Sequence, residues 1–130
     1  MGTISDLQRV IVARIEAAVP SLADSIYDRK VPEGAALPYA SIGPAYGHDD
    51  SAECIDGQSV TVQIDIFASS YPDSQVASDT TAAVRRALNG WADTEVLTMS
   101  PMHVSLWQVI DDPDPAKLHG FVQVEVSVED

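Results

Sequence analysis

Hydrophobic and polar residues alternate with a period of two in three parts of the chain. The clearest is 58–68, where four aliphatic residues alternate with mostly polar ones. Residues 102–110 and 118–128 show the same period, and the segment between them, 111–117, carries two prolines and three aspartates. A period of two predicts strands with one face on a core, and a segment rich in proline and aspartate predicts a turn. The last two strands are therefore expected to form an antiparallel hairpin.

Two other segments have the helical period. Residues 5–19 place leucine, valine and isoleucine on one face, and Pro20 ends this pattern because the residue before a proline avoids the helical region. Residues 73–89 form a second amphipathic segment, and Gly90 follows as a left-handed helix stop. We therefore predict two helices.

A shorter strand is predicted at 39–43, where it ends at Gly43 and Pro44. The polar segment 45–57 then reads as a long loop before the next strand. A loop of this length is near the upper limit for a compact domain, which favours mobility or contact with a partner. Our candidates in this loop for subunit contacts, or for the wall of a channel, are His48, Asp49, Asp50, Glu53 and Asp56.

The order of these elements is helix, strand, strand, helix, strand, strand. It predicts one α+β domain over residues 1–130, with two helices packed on one face of a mainly antiparallel four-stranded sheet. The other face is expected to stay open and to need solvent or a partner. Its candidate interface residues are Asp65, Phe67, Trp107 and Glu125.

The charge is strongly negative, because 20 acidic residues face 7 basic ones and give a net charge of −13. Such a chain repels DNA phosphates, which disfavours a role in gripping nucleic acid. Cys54 is the single cysteine, so no internal disulfide or cysteine metal cage is expected. No run of 18 apolar residues and no signal-peptide pattern is present, so we expect a reducing cytoplasmic origin and no membrane partner.

Few residues suggest catalysis. The nucleophile elbow, the P-loop and the glycine-rich dinucleotide motif are all missing from the sequence. His103 and His119 fall on neighbouring predicted strands, which leaves open a site built from two histidines and an acid. We predict no catalytic residue, no metal and no cofactor, and keep this two-histidine site as an alternative.

The segment between the first helix and the first strand carries a family resemblance. It reads IYD at 26–28 and VPEGAALPYASIG at 31–43, which resembles the N-terminal signature of small tail-completion proteins of tailed phages, prophages and gene transfer agents. The later segments follow the same family order over nearly the whole chain, although Ser25 stands where an arginine often precedes the signature. The matching signature residues are Tyr27, Pro32, Gly34, Pro38, Tyr39 and Gly43.

The resemblance implies a tail terminator. Its expected role is structural: a ring, expected to be a hexamer, that caps the tail tube and joins it to the head connector. The implied partners are other copies of the chain, the tail tube protein and the head-tail connector or stopper protein, while DNA passes through without specific binding. The expected location is the tail or neck of the virion, after assembly in the bacterial cytoplasm. An acidic channel wall would remove attraction to the passing phosphates.

Two other functions remain open from the residues alone. One is a ferredoxin-like domain that binds a small ligand or assists an enzyme; a bound metal, or a pocket in which His103 and His119 converge, would support it. The other is an acidic mimic of nucleic acid that inhibits a DNA-binding protein, and salt would abolish that association.

Overall fold

The structure is a computed structural model that describes residues 3–49 and 57–129. It has two helices and five strands, so the predicted α+β class is confirmed. In chain order the elements are helix α1 (Thr3–Ala18), a short 3₁₀ turn (Pro20–Leu22), β1 (Ile26–Asp28), β2 (Tyr39–Asp49), β3 (Gly57–Ser69), helix α2 (Gln75–Leu88), β4 (His103–Asp111) and β5 (Lys117–Glu129).

The five strands form one sheet in the order β1-β2-β3-β5-β4. The β1 strand runs parallel to β2, with Ile26 opposite Ala40 and Asp28 opposite Ile42, and the other neighbours are antiparallel. The predicted sheet of four strands was one strand short. With three residues, β1 is too short for alternation to reveal it, and only its pairing with β2 makes it a strand.

Both helices pack on the same face of the sheet, as predicted. The central strands β3 and β5 supply most of the sheet side of this core, and the burial of their aliphatic side chains is the main favourable term in folding. The residues of these two strands that are buried in the core cluster are Val60, Val62, Ile64, Ile66, Val122, Val124, Val126 and Val128.

The β2 strand is longer than predicted. Its pairing with β3 continues from Ala45, opposite Val62, to Asp49, opposite Gln58. A register shift between Ile42 and Ala45 accommodates Gly43 and Pro44, because a bulge leaves a residue unpaired and a proline has no N–H to offer the ladder. Residues 45–49 and 57 are therefore strand rather than loop, and 50–56 lie outside the described residues.

The β4 strand also contains an irregularity. Val104 lies opposite Val124, but the next pair is Leu106 with Gln123, so Ser105 has no partner of its own. An extra residue reverses the alternation of side chains beyond it. The prediction that residues 102–110 keep one alternation throughout was therefore wrong from this point onward.

The connection from α2 to β4 is organised by Asp93. Gly90 ends the helix with a φ of +82°, as the sequence indicates. The Asp93 carboxylate then accepts hydrogen bonds from the backbone N–H groups of Glu95, Val96 and Leu97 at 3.2, 2.6 and 2.8 Å. These bonds, from Leu97 and Val96 above all, lower the pKa of Asp93 below its ordinary value of 3.8, because they favour the charged form.

Candidate assembly surface

The open face of the sheet, on the side away from both helices, is the candidate surface. Directly opposed residues on neighbouring strands share a face, so the strand pairing defines transverse rows of side chains. Two adjacent rows on this face consist of Tyr39, Phe67, His119 and Ile110, and of Tyr27, Ser41, Asp65, Phe121 and Gln108. The surface therefore mixes aromatic rings with polar groups.

Five of these side chains form a continuous aromatic row across four strands. Ring centroids are 6.1 Å apart for Tyr27 and Tyr39, 5.3 Å for Tyr39 and Phe67, and 4.5 Å for Phe67 and His119. The last two rings are nearly parallel, at 14°, and His119 meets Phe121 edge-on at 6.1 Å. These separations are typical of favourable aromatic pairs, so the aromatic row is a rigid part of the surface.

Asp65 anchors the centre of the open face. One carboxylate oxygen, Oδ1, lies 2.8 Å from Nε2 of His119 and accepts a hydrogen bond of 2.9 Å from Nε2 of Gln63. The other oxygen, Oδ2, lies above Gly43, where an added Cβ would approach it to 3.0 Å. The glycine of the signature thus leaves room for the carboxylate, which is a structural reason for its place in the bulge.

Lys117 of β5 contacts the second ring of the aromatic row, Tyr39 of β2. Its ammonium donates a hydrogen bond of 3.3 Å to the Tyr39 hydroxyl and lies 5.6 Å from the centroid of the same ring. The hydrogen bond to Tyr39 is the main cause that raises the pKa of Lys117 above its ordinary value of 10.5, because it favours the charged form.

The predicted interface residues divide into two groups. Asp65, Phe67 and Glu125 lie on the open face, as the alternation indicated. Trp107 does not: it pairs with Val122 on the helix side, where the Arg85 guanidinium lies 5.0 Å from the indole ring. Its predicted place on the open face was wrong because Ser105 is an extra residue, and the alternation of side chains between the two faces is therefore shifted by one position at Trp107.

The acidic loop is described only at its edges. His48 and Asp49 are the last residues of β2, opposite Ser59 and Gln58. Asp50, Glu53 and Asp56 lie outside the described residues, so their role in assembly stays a prediction.

The two histidines of the alternative site do not meet. His103 lies opposite Glu125, whereas His119 lies opposite Ile110, six residues back along β5. At about 3.4 Å per residue the two rows are about 20 Å apart, so the alternative of a converging pair is excluded. Within 3–49 and 57–129, no group of three or more histidine, cysteine, aspartate or glutamate residues could hold a metal ion. In the same ranges, no helix is long and apolar enough to cross a membrane.

Two contacts of the surface were not anticipated from the sequence. The pairing of His119 with Asp65 and of Lys117 with Tyr39 joins residues 54 and 78 positions apart. Each strand shows its own alternation in the sequence, but the sequence does not show that β3 and β5 are hydrogen-bonded neighbours in the sheet. Once that pairing is known, the shared face of His119, Phe121 and Asp65 follows directly from the period of two.

Comparison with known proteins decides the family. The family described as tail completion protein gp17 matches residues 10–129, which is nearly the whole chain. The chain belongs to this family. The gp17 tail completion family is one of structural phage tail proteins, so the protein is a structural component of a virion. The family match confirms the resemblance carried by the signature at 26–43.

The fold of this family member is also similar to a solved structure. A chain in the virion of a native gene transfer agent (GTA) particle superimposes with a TM-score of 0.79. The similarity covers 99% of this chain and 98% of that chain at 19% identity, and it shows a shared fold. No curated protein matches the chain.

Proposed function

We propose that the protein completes the tail by forming a ring, a hexamer, that caps the tail tube and joins it to the head connector. The observation that carries this proposal is the match to the gp17 tail completion family over residues 10–129. DNA passes through the central hole of the ring on its way between head and tail. The partners are further copies of this chain, the tail tube protein and the connector or stopper protein.

The open face supports a role in assembly. Leu106 is 48% exposed and Ile110 is 40% exposed, and both border the polar and aromatic rows of this face. Exposed apolar side chains next to a rigid aromatic row are typical of surfaces that another protein covers. A subunit of a larger particle has such a neighbour available.

The charge supports passage of DNA without binding. A chain with a net charge of −13 gives a ring of six copies a strongly negative field. Phosphates close to an acidic wall gain no counterion release, so DNA slides instead of adhering. A lumen lined by lysine and arginine in the assembled ring would refute this part of the proposal.

The decisive experiment is deletion of the gene in a producing strain, followed by electron microscopy of the particles. Loss of the protein should give filled heads separate from tails, or tails of abnormal length. A plasmid copy of the wild-type gene should restore joined particles. Normal particles from the deletion strain would refute the proposal.

A further inference from the structure

The sheet ends in two unlike edges, β1 on one side and β4 on the other. The two edge strands run antiparallel to each other, as the pairing through β2, β3 and β5 requires. Edge strands present unpaired backbone groups that can pair with another chain. Each edge is therefore a possible contact between copies of the chain.

The β4 edge presents a tryptophan against a cation, Arg85. Trp107 is 49% exposed on the helix side of the strand, and Arg85 lies against its ring. Arg85 Nε is buried and has no hydrogen-bond partner within the described ranges. The neighbouring Arg86 is exposed, and neither arginine forms a salt bridge with any residue in those ranges.

Within 3–49 and 57–129, a side chain caps the backbone of this edge at its beginning. The N–H of Val104 donates a hydrogen bond of 3.0 Å to Asn89 Oδ1, so the loop after α2 caps this part of the strand. Residues 103–110 contain neither lysine nor proline, the residues that most often protect an edge. The open part of the edge therefore begins beyond the bulge, where Trp107 lies.

The β1 edge presents a cleft with two carboxylates that are unpaired among the described residues. A cavity of about 380 Å³ lies between α1 and the first two strands, with apolar lining from Val12, Ile26 and Ile42. Its charged lining residues are Arg9, Glu16 and Asp28. Arg9 pairs with Asp6 at 3.4 Å, whereas neither Glu16 nor Asp28 forms a salt bridge with any residue of 3–49 or 57–129.

The cleft also holds an unused donor. The Nε2 amide of Gln8, which lines the same cleft, is buried and lacks a partner among the described residues. A buried donor of this kind costs stability until an acceptor reaches it. The cleft therefore offers apolar surface, a free donor and two carboxylates.

One transverse row connects these two edges. Trp107 pairs with Val122, Val122 with Ile64, Ile64 with Ile42, and Ile42 with Asp28. Trp107 and Asp28 are thus the two ends of a single row on the helix side of the sheet. If a second copy extends the sheet in the same register, the tryptophan of one copy arrives beside the aspartate of the next.

We infer that β4 of one copy docks antiparallel along β1 of a second copy, so that Trp107 enters the cleft between α1 and β1. Arg85 and Arg86 then face Asp28 and Glu16 across the contact. Glu16 and Asp28, which are unpaired within the described ranges, favour this occupant. Arg9 of the cleft already has Asp6 as its partner, and chains of net charge −13 approach best where unpaired cations of one meet unpaired anions of the other. The inference rests on the proposed ring and names the contact that builds it, since a contact between two unlike edges repeats in one direction and closes into a ring.

Engineered cysteines test the register directly. Tyr27 and Gln108 end another row, on the open face, and lie four strand spacings apart within one subunit. That separation is about 19 Å, too far for a disulfide, so a bond in the Tyr27→Cys/Gln108→Cys variant with Cys54→Ser must join two copies. Particles carrying this variant should give a ladder of cross-linked multimers on a non-reducing gel. The matched control, Tyr27→Cys/Asp79→Cys in the same background, moves the second cysteine to exposed α2 and should give none.

The two proposals fail in different ways in this experiment. Particles that show a ring by electron microscopy but no Tyr27–Gln108 cross-link would overturn the edge contact and leave the ring intact. Particles that form normally without any ring would overturn the proposed function itself. A ladder that appears equally in the Asp79 control would also overturn the register.

A charge-reversal cycle tests the side-chain contacts. Glu16→Lys and Arg86→Glu should each lower the yield of joined particles, or the self-association of the purified chain, by several-fold. The double variant restores opposite charges and should return to within about twofold of wild type. Trp107→Ala, checked for folding by circular dichroism, should weaken self-association by about tenfold or more. A double variant weaker than either single one would overturn the contact, and would favour DNA or another protein as the partner of Arg86.

Discussion

Gly120 of β5 lies so close to Thr81 of α2 that a side chain at position 120 would overlap the threonine hydroxyl. The Thr81 side chain is fully buried, and its Oγ1 has no hydrogen-bond partner among the described residues. The packing of α2 against the sheet therefore depends on the missing Cβ of one glycine. Alanine is usually more stable than glycine inside a strand. At position 120 the overlap of an alanine Cβ with Thr81 opposes this preference.

Gly120→Ala should therefore destabilise the protein, by about 3 kcal/mol, because α2 must move away from β5. Urea denaturation followed by circular dichroism measures this loss. Thr81→Ala removes the overlapping hydroxyl and should recover at least half of the loss in the double variant. Thr81→Ser keeps the hydroxyl and should recover little. If Gly120→Ala alone left the stability unchanged, α2 would not pack as closely on β5 as Thr81 and Gly120 indicate.

The contact of Asp65 with His119 should appear as an energetic coupling. Because the carboxylate and imidazole share a partly buried hydrogen bond, the double variant Asp65→Ala/His119→Ala should lose about 1 kcal/mol less than the sum of the two single variants. A second double-mutant cycle pairs His119 with Glu125 and serves as the control. Glu125 lies on the same face but six residues from His119 along β5. Glu125→Ala with His119→Ala should be additive within about 0.5 kcal/mol. Equal coupling in both cycles would contradict a direct contact.

Asp93 should contribute to stability in a pH-dependent manner. Its pKa is lower in the folded protein than the ordinary 3.8, so its contribution is fully present above pH 3.8 and is lost as the pH falls through the folded value. Asp93→Ala should therefore lower the melting temperature at pH 7, and the difference from wild type should shrink as the pH falls below 3.8. Glu95→Ala, in the same exposed loop, is the control and should change little at either pH. A difference between Asp93→Ala and wild type that is constant with pH would refute the role of the charged form.

The segment 50–56 should matter for assembly and not for folding. Asp49 and Gln58 are the last directly opposed residues described in this hairpin. Replacing 50–57 with Asn-Gly, a pair that favours a tight hairpin turn, should leave the circular dichroism spectrum close to wild type. We expect the yield of joined particles to fall, because the acidic residues of the loop are candidates for subunit contacts. A loss of the folded spectrum would contradict the prediction, as would full assembly.

Those elements with strong periodicity were predictable from the sequence. Strands β3 and β5 have 13 residues each, and their aliphatic residues alternate long enough to identify both the strand and its buried face. The open face and three of its four candidate residues followed from the same alternation. The class of the fold needed no information on pairing between distant strands.

The elements that escaped prediction share one physical cause. A glycine followed by a proline reads as the end of a strand, but in β2 the bulge absorbs both and the ladder resumes at Ala45. The bulge at Ser105 leaves no comparable mark in the sequence, because any residue can be left unpaired. Bulges and very short strands are defined by their neighbours in the sheet, which local periodicity cannot reveal.

The unpaired residue of β4 gives this strand an unequal tolerance of mutation. Substituting Ser105 changes one side chain, and deleting it would restore a regular ladder with the same partners, Leu106 opposite Gln123 and Trp107 opposite Val122. Deleting Gln108, which has a partner, would instead exchange the faces of Val109 and Ile110. We therefore expect natural variants of this protein to replace or lose residue 105 more readily than they lose a paired residue of β4, so that the partners of Leu106 and Trp107 are inherited whether or not the bulge is.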